Sequence, residues 1–122
     1  MNKSGLWSVR ALPVMFLLLL AWSGAGAQPA KIQSVRMWPA PDNTRLVFDV
    51  SAPVEHTVFT LSNPDRLVID VKDTGLVAAI DELDVSGSLL KGIRAGVREG
   101  RHLRVVLDLK EPVRPKSFVL RP

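Results

Sequence analysis

The hydrophobic pattern of the chain repeats one short phrase three times: an arginine, three apolar residues, an aspartate and an apolar residue. In the first copy, Leu46, Phe48 and Val50 alternate with Arg45 and Asp49. This alternation predicts a strand with one apolar face and one charged face. The copies are Arg-Leu-Val-Phe-Asp-Val at 45–50, Arg-Leu-Val-Ile-Asp-Val at 66–71 and Arg-Val-Val-Leu-Asp-Leu at 104–109.

The first and third copies belong to a longer internal repeat with an offset of 59 residues. A Pro-Val pair follows both copies, and Phe-Thr-Leu at 59–61 matches Phe-Val-Leu at 118–120. Self-similarity at a fixed offset predicts duplicated structure. By the same offset, the second copy has a counterpart beginning at position 125. We therefore expect the domain in residues 28–122 to lack its last strand.

The remaining pattern predicts an all-β domain. Turn residues separate the apolar runs, and only 77–83 shows helical spacing, which indicates a short helix or helical turn. We predict a small antiparallel β-sandwich of two symmetry-related sheets. The predicted strands cover 31–38, 44–51, 55–61, 66–72, 89–97, 102–109 and 117–120.

The charges of the phrase favour pairing between strands. Arg66 and Asp70 lie about 13 Å apart along one strand, too far for a direct bond. In an antiparallel pair, the arginine of one copy faces the aspartate of its neighbour. Such an exposed pair contributes about 0–1 kcal/mol, so we expect its main use to be in fixing the register of the strands.

The N-terminus has the pattern of a secretory signal peptide. Lys3 and Arg10 precede an apolar stretch at 11–22, and Ala25-Gly26-Ala27 is a small-residue cleavage site. The apolar stretch is too short for a membrane span, and no arginine pair precedes it. We predict a Sec-type signal peptide at 1–27, cleavage before Gln28, a periplasmic product and no stable membrane insertion afterwards.

Removal of that leader lowers the precursor's net charge of +4 by two, because no acidic residue leaves with Lys3 and Arg10. The chain has no cysteine, so stability must come from packing. His56 and His102 lie in separate strand-like runs, and there is no His-Glu-x-x-His motif. The sequence therefore predicts no catalytic residues, no metal ligands and no cofactor in this chain.

One basic patch is a candidate binding surface. Between 91 and 104, five cations are opposed only by Glu99. We select Arg94, Arg98 and Arg101 as candidates for an anionic polymer; a solvated strand face is the alternative. Nucleic acid is a poor candidate, because the protein is predicted to be exported and lacks interleaved aromatic residues. Trp38 is a candidate platform for stacking a sugar, against the alternative of a sheet-edge core residue.

Several segments resemble the AMIN domain of periplasmic cell-wall amidases. Val-Arg-Met-Trp-Pro-Ala at 35–40 is similar to its opening, and Leu-Ser-Asn-Pro-Asp-Arg-Leu-Val-Ile-Asp-Val at 61–71 is the most specific match. Ile-Arg-Ala-Gly at 93–96 resembles its second-half entry strand. Pro-Val-Arg-Pro at 112–115 and Phe-Val-Leu at 118–120 resemble its closing part.

The resemblance implies a non-catalytic domain that binds peptidoglycan and targets its protein to the division septum, where septal division proteins are possible partners. In such N-acetylmuramoyl-L-alanine amidases a zinc-dependent catalytic domain follows, and none of its ligands maps onto this sequence. Type IV pilus secretins also begin with AMIN domains, so a wall anchor for a secretin channel is the alternative. A free-standing enzyme is disfavoured for want of catalytic groups.

Overall fold

The computed structural model describes residues 15–22, 29–99 and 101–120, apart from the side chains of Met15, Trp22 and Leu120. These residues form strands and one 3₁₀ turn, Ile80–Glu82. The strands are β1 (Met15–Trp22), β2 (Ala30–Trp38), β3 (Asn43–Val50), β4 (His56–Leu61), β5 (Arg66–Val71), β6 (Thr74–Leu76), β7 (Leu90–Arg98), β8 (His102–Leu109) and β9 (Arg114–Leu120). No helix long and apolar enough to cross a membrane occurs among the described residues.

The strands form two sheets packed face to face, as the sequence predicts. Sheet A has the order β6-β2-β3-β1-β9, and sheet B the order β4-β5-β8-β7. Each phrase points alternate apolar positions into the core between the sheets, so that Leu46, Leu67 and Leu107 are fully buried. Burial of these side chains stabilises the fold by roughly 1.5–3 kcal/mol each.

The repeat is visible in the geometry of two hairpins, β2–β3 and β7–β8. Both are antiparallel, and in each the first strand carries a register shift, between Ile32 and Ser34 in one and between Leu90 and Gly92 in the other. Arg36 lies opposite Val47 just as Arg94 lies opposite Val106. The two hairpins are therefore equivalent halves of the sandwich, which confirms the predicted symmetry.

Few of the described buried side chains are polar, and their polar atoms form hydrogen bonds. Thr44 is fully buried and its hydroxyl donates to the carbonyl of Ala40 at 2.7 Å. The same oxygen accepts the backbone N–H of Leu89 at 3.0 Å. Thr44 thus connects the start of β3 to the chain that enters β7. No described buried side-chain nitrogen or oxygen lacks a hydrogen-bond partner.

The structure differs from the sequence prediction in three places. The leader was expected to lie outside the fold, but Met15–Trp22 forms a strand between β3 and β9. This strand is parallel to both neighbours, and β6 is parallel to β2, so only sheet B is antiparallel throughout. The strand β6 was not predicted. The short helix or helical turn predicted within 77–83 is present as the 3₁₀ turn.

The apolar residues of the leader explain its position in the sheet. Phe16, Leu18 and Leu20 alternate along β1 and are at most 1% exposed in the core. A run of leucines satisfies the pattern of a signal peptide and equally fills a central strand. The predicted cleavage site lies outside the described residues, so cleavage before Gln28 stays a prediction.

Candidate binding surface

The outward side of sheet B carries a ladder of charged side chains. We call it face B and define it by the outward residues of β5, β8 and β7. Alternation along each strand places them on one side, with Gly96 directly opposite Arg104. The charged members of face B are Arg66, Asp70, Arg94, Arg98, Arg104 and Asp108.

The central pair of face B is Arg104 with Asp70, which lie directly opposite each other on β8 and β5. Arg104 donates two hydrogen bonds, from Nε to Oδ1 at 2.7 Å and from Nη2 to Oδ2 at 2.8 Å. These bonds hold the pKa of Asp70 below its usual value, although burial opposes them. The Arg104 guanidinium also lies 5.7 Å from the centre of the Phe59 ring. Arg104 is thereby fixed in place.

The second pair of face B is Arg94 with Asp108. Arg94 donates from Nε and Nη2 to the two carboxylate oxygens at 3.0 and 2.9 Å, which raises the pKa of the guanidinium. Arg66 faces Asp108 from the other side in the register, but its Nε donates to the carbonyl of Pro64. The predicted cross-strand pairing is therefore confirmed for Asp70 and Arg104, whereas Asp108 pairs with β7.

The outward side of sheet A repeats part of this arrangement, and we call it face A. Arg36 donates to both carboxylate oxygens of Asp49 at 2.9 and 2.8 Å, and Ser34 donates to the same carboxylate. Burial raises the pKa of Asp49, but these bonds outweigh it and the net shift is downward. The guanidinium carbons of Arg36 and Arg45 each lie 5.7 Å from the centre of the Trp38 ring.

A cleft of about 330 Å³ opens where β4, β5 and β8 meet the turn after β7. His56 of β4 and His102 of β8 both line it, although β5 lies between their strands. His56 bonds Ser117 of β9 at 3.1 Å, and burial lowers the pKa of its imidazole. The lining residues are Glu55, His56, Thr57, Asp70, Val71, Lys72, Arg98, Glu99, His102 and Arg104.

The cleft combines cations with acids rather than presenting one charge. Lys72 pairs with Glu55 at 3.3 Å, and the backbone N–H of Asp73 donates to Nδ1 of His102. Within the described ranges there is no group of three or more histidine, cysteine, aspartate or glutamate residues suited to a metal ion. The arrangement can hold a ligand that carries carboxylate and amino groups.

The four residues selected from sequence do not form one site. Arg94 and Arg98 share face B, and Arg98 also lines the cleft. Arg101 lies in the turn after β7, where it pairs with Asp73 at 2.9 Å and lines a separate depression. Trp38 lies on face A, on the opposite side of the sandwich, and it is 48% exposed rather than a core residue.

Sequence reasoning missed Arg36 and Phe59. Arg36 and Arg94 occupy equivalent hairpin positions, and each holds an aspartate of β3 or β8. This equivalence appears only in the strand register, because the repeat offset of 59 residues matches Arg36 with Ala95. The contact of Phe59 with Arg104 crosses β5 and depends on the three-dimensional arrangement of the sheet.

Comparison with known proteins adds an independent observation. The family model described as "AMIN domain" matches residues 34–122. The chain is 30% identical over 100 residues to N-acetylmuramoyl-L-alanine amidase AmiC of Escherichia coli O6:H1, with 79% of the chain covered. It is 32% identical over 93 residues to the protein of that name from Neisseria meningitidis serogroup B, with 73% covered. The matches span only 24% and 22% of those relatives.

Proposed function

Because this chain belongs to the AMIN domain family, we propose that it is the non-catalytic, peptidoglycan-binding domain of a cell-wall N-acetylmuramoyl-L-alanine amidase. The observation that carries the proposal is the family match over nearly all of 28–122, together with two relatives that are named as such amidases. Both relatives favour an amidase over the pilus-secretin alternative. The amide hydrolysis and its zinc are assigned to the parent enzyme and to none of the residues described here.

The proposed mechanism is adhesion through arginines and aromatic rings on a rigid sandwich. Peptidoglycan stem peptides carry carboxylates, which guanidinium groups bind well. On face B, Arg94 and Arg104 already hold aspartates, whereas Arg98 makes no side-chain hydrogen bond within the described ranges. Arg98 is therefore the cation best placed to receive a carboxylate of the wall, and the adjoining cleft has room for the peptide that carries it.

Adhesion of this kind serves an enzyme by raising its local concentration at the wall. The proposal places the domain in the periplasm after a Sec-type leader at 1–27 has been removed. It places the parent enzyme at the division septum, where wall cleavage separates daughter cells. Septal division proteins are further proposed partners, and the wall itself is the primary one.

The test is a pull-down of the purified 122-residue chain with sacculi that have been stripped of protein. We expect the chain to sediment with the sacculi and Arg98→Ala to reduce its retention several-fold. Lys110→Ala is the matched control. Lys110 is an exposed cation directly after the end of β8, whereas Arg98 lies opposite the start of β8, and the substitution removes the same charge. Equal retention of both variants would reject the role of Arg98, and no sedimentation of the wild-type chain would reject wall binding.

A further inference from the structure

The polar side chains around the cleft form two neighbouring rows across the end of sheet B. One row contains the central pair of face B. In the other, the backbone N–H of Lys72 donates to the carbonyl of Glu55, and His102 lies directly opposite Arg98. Alternation along the strands places both rows on the outward side of the sheet. The cleft therefore lies over a short grid of polar groups.

Most charges of this grid are already paired. The central pair of face B is closed by its own two hydrogen bonds, and Lys72 pairs with Glu55 at 3.3 Å. Arg98 and Glu99 are the charged lining residues whose side chains make no hydrogen bond or ion pair within the described ranges. The cleft thus keeps one cation and one anion for a ligand.

The turn after β7 brings Glu99 to the same cleft as Arg98. Neighbouring residues of a regular strand point to opposite faces. The backbone of Glu99 instead has a φ of 54°, in the left-handed region, and the N–H of Arg101 donates to the carbonyl of Arg98 at 3.3 Å. Because of this turn, two residues adjacent in sequence both line the cleft.

The electrostatics of the central pair agree with this placement. The pKa of Asp70 is lowered first by the hydrogen bonds from Arg104 and also by the charge of Arg98, against the opposing effect of burial. The pKa of Arg104 is raised first by its hydrogen bonds to Asp70 and also by the charge of Glu99. Arg98 and Glu99 are therefore close enough to the pair to act on a ligand held over it.

His102 adds a hydrogen-bond donor beside Arg98. Its Nδ1 accepts the backbone N–H of Asp73 at 3.3 Å, so the proton of the neutral ring is on Nε2. Directly opposite residues of antiparallel strands have Cβ atoms about 5 Å apart. Arg98 and His102 can therefore donate to the two oxygens of one carboxylate.

We propose that the cleft binds a residue with a free ammonium group beside a carboxylate, namely the unlinked end of a diamino acid in a stem peptide. Arg98 and His102 bind the carboxylate, and Glu99 binds the ammonium. The inference rests on the proposed function, because it takes the ligand to be part of the wall. An amino group that has been joined into a cross-link is a neutral amide and leaves Glu99 without a partner. The domain therefore prefers wall whose stem peptides are not cross-linked.

The test compares untreated sacculi with sacculi whose amino groups have been acetylated by acetic anhydride, which removes the ammonium groups and keeps the carboxylates. We expect acetylation to reduce the retention of the 122-residue chain about three-fold. Glu99→Gln should be retained about as weakly on untreated sacculi, and acetylation should weaken it no further. Glu99→Asn should behave in the same way, and asparagine adopts a positive φ readily, so the turn is kept.

Glu111→Gln is the matched control, because Glu111 is an exposed acid just beyond the end of β8 that lies away from the cleft. It should be retained like the wild type and lose the same fraction on acetylation. An equal response of the wild type and Glu99→Gln to acetylation would overturn the preference, while wall binding itself would stand.

A soluble probe separates this inference from wall binding. Diaminopimelate carries an ammonium beside a carboxylate at each end, and its diacetyl form keeps only the carboxylates. In amide NMR spectra of the 122-residue chain, we expect millimolar diaminopimelate to shift the signals of Arg98, Glu99 and His102, and the diacetyl form to shift them much less. Equal shifts with both compounds, or none with either, would overturn the site.

The same titration tests the donor from β8. His102→Asn removes the Nε2–H group, so we expect it to weaken diaminopimelate binding about three-fold. An unchanged affinity would overturn the assignment of His102 to the carboxylate. Shifts by diaminopimelate without any sedimentation of the chain on sacculi would support the site and reject the proposed function alone.

Discussion

Asp70 and Arg104 face each other across β5 and β8 and share two parallel hydrogen bonds of 2.7 and 2.8 Å. Both side chains are about one-third exposed, at 32% and 31%. Such a bidentate pair is stronger than an ordinary surface ion pair, and it ties together two copies of one sequence phrase. It therefore fixes the register of the two central strands of sheet B.

The first prediction concerns the coupling energy of this pair. A double-mutant cycle with Asp70→Asn and Arg104→Gln should give a coupling of about 1 kcal/mol in the free energy of unfolding. The equivalent cycle on Asp108 and Arg94 should give less, because the Arg94 side chain is 63% exposed and solvent screens the pair. Urea denaturation measures both, and equal couplings would contradict the argument from exposure.

The second prediction concerns stability at low pH. The hydrogen bonds from Arg104 lower the pKa of Asp70 in the folded state, while the unfolded value is about 3.9. The stabilisation is therefore complete above about pH 4 and is lost as pH falls through the folded-state pKa. Wild-type stability should fall more than that of Asp70→Asn between about pH 5 and 3. Parallel curves for the two proteins would show that Asp70 does not contribute to acid unfolding.

The third prediction concerns His56, where folding favours the uncharged form of the side chain rather than the charged form. Burial lowers the pKa of His56 in the folded state, while the unfolded value is about 6.5, so folding favours the neutral ring. Stability should therefore decrease as pH falls below about 6.5, because the unfolded chain gains a proton first. The melting temperature of His56→Gln should vary less than that of the wild type between about pH 7.5 and 5.5. A wild-type melting temperature that is constant over this range would contradict the argument.

The fourth prediction concerns Thr44, whose hydroxyl serves two buried backbone groups. Thr44→Val keeps the shape but leaves the Leu89 N–H and the Ala40 carbonyl without this partner. An unsatisfied buried group costs about 1–3 kcal/mol, so we expect a loss of about 2 kcal/mol or more in unfolding free energy. Thr57→Val is the control, because Thr57 is exposed on β4 and should lose less than about 0.5 kcal/mol. Similar losses in both variants would contradict the role of Thr44.

Much of the fold follows from the alternation of apolar residues, because alternation specifies which face of a strand is buried. The phrase located β3, β5 and β8, and its charges indicated a cross-strand pair that is found between Asp70 and Arg104. The partner of Asp108 was not predictable, since either neighbouring strand offers it an arginine. Arg94 binds it from β7, while Arg66 turns to the Pro64 carbonyl.

The sequence left the position of Trp38 open between an exposed platform and a sheet-edge core residue. The register shift between Ile32 and Ser34 resets the alternation of β2, so that Ile32, Val35 and Met37 point inward and Trp38 points outward. A sequence gives no direct sign of that extra residue. The position of β1 was likewise not predictable, because an apolar leader and a central strand have the same composition.

The last prediction concerns Trp38 as a surface for the wall's sugars. Cation–π contacts with Arg36 and Arg45, each 5.7 Å from the ring centre, restrict the motion of Trp38 while 48% of the residue is exposed. A restrained, exposed ring offers a flat apolar surface to the C–H groups of a sugar at little cost in conformational entropy. In the sacculi pull-down, Trp38→Ala should weaken retention about three- to ten-fold, whereas Trp38→Phe should retain most of it because a ring remains.

Val77→Ala is the control for this experiment, because Val77 is the most exposed large apolar residue among those described, at 65%. Its backbone N–H bonds Ile32 near the start of β2, whereas Trp38 ends that strand. The retention of Val77→Ala should equal that of the wild type. Equal retention of Trp38→Ala and Val77→Ala would exclude face A from wall contact. If Arg98→Ala then still reduced binding, face B and its cleft would carry the adhesion without face A.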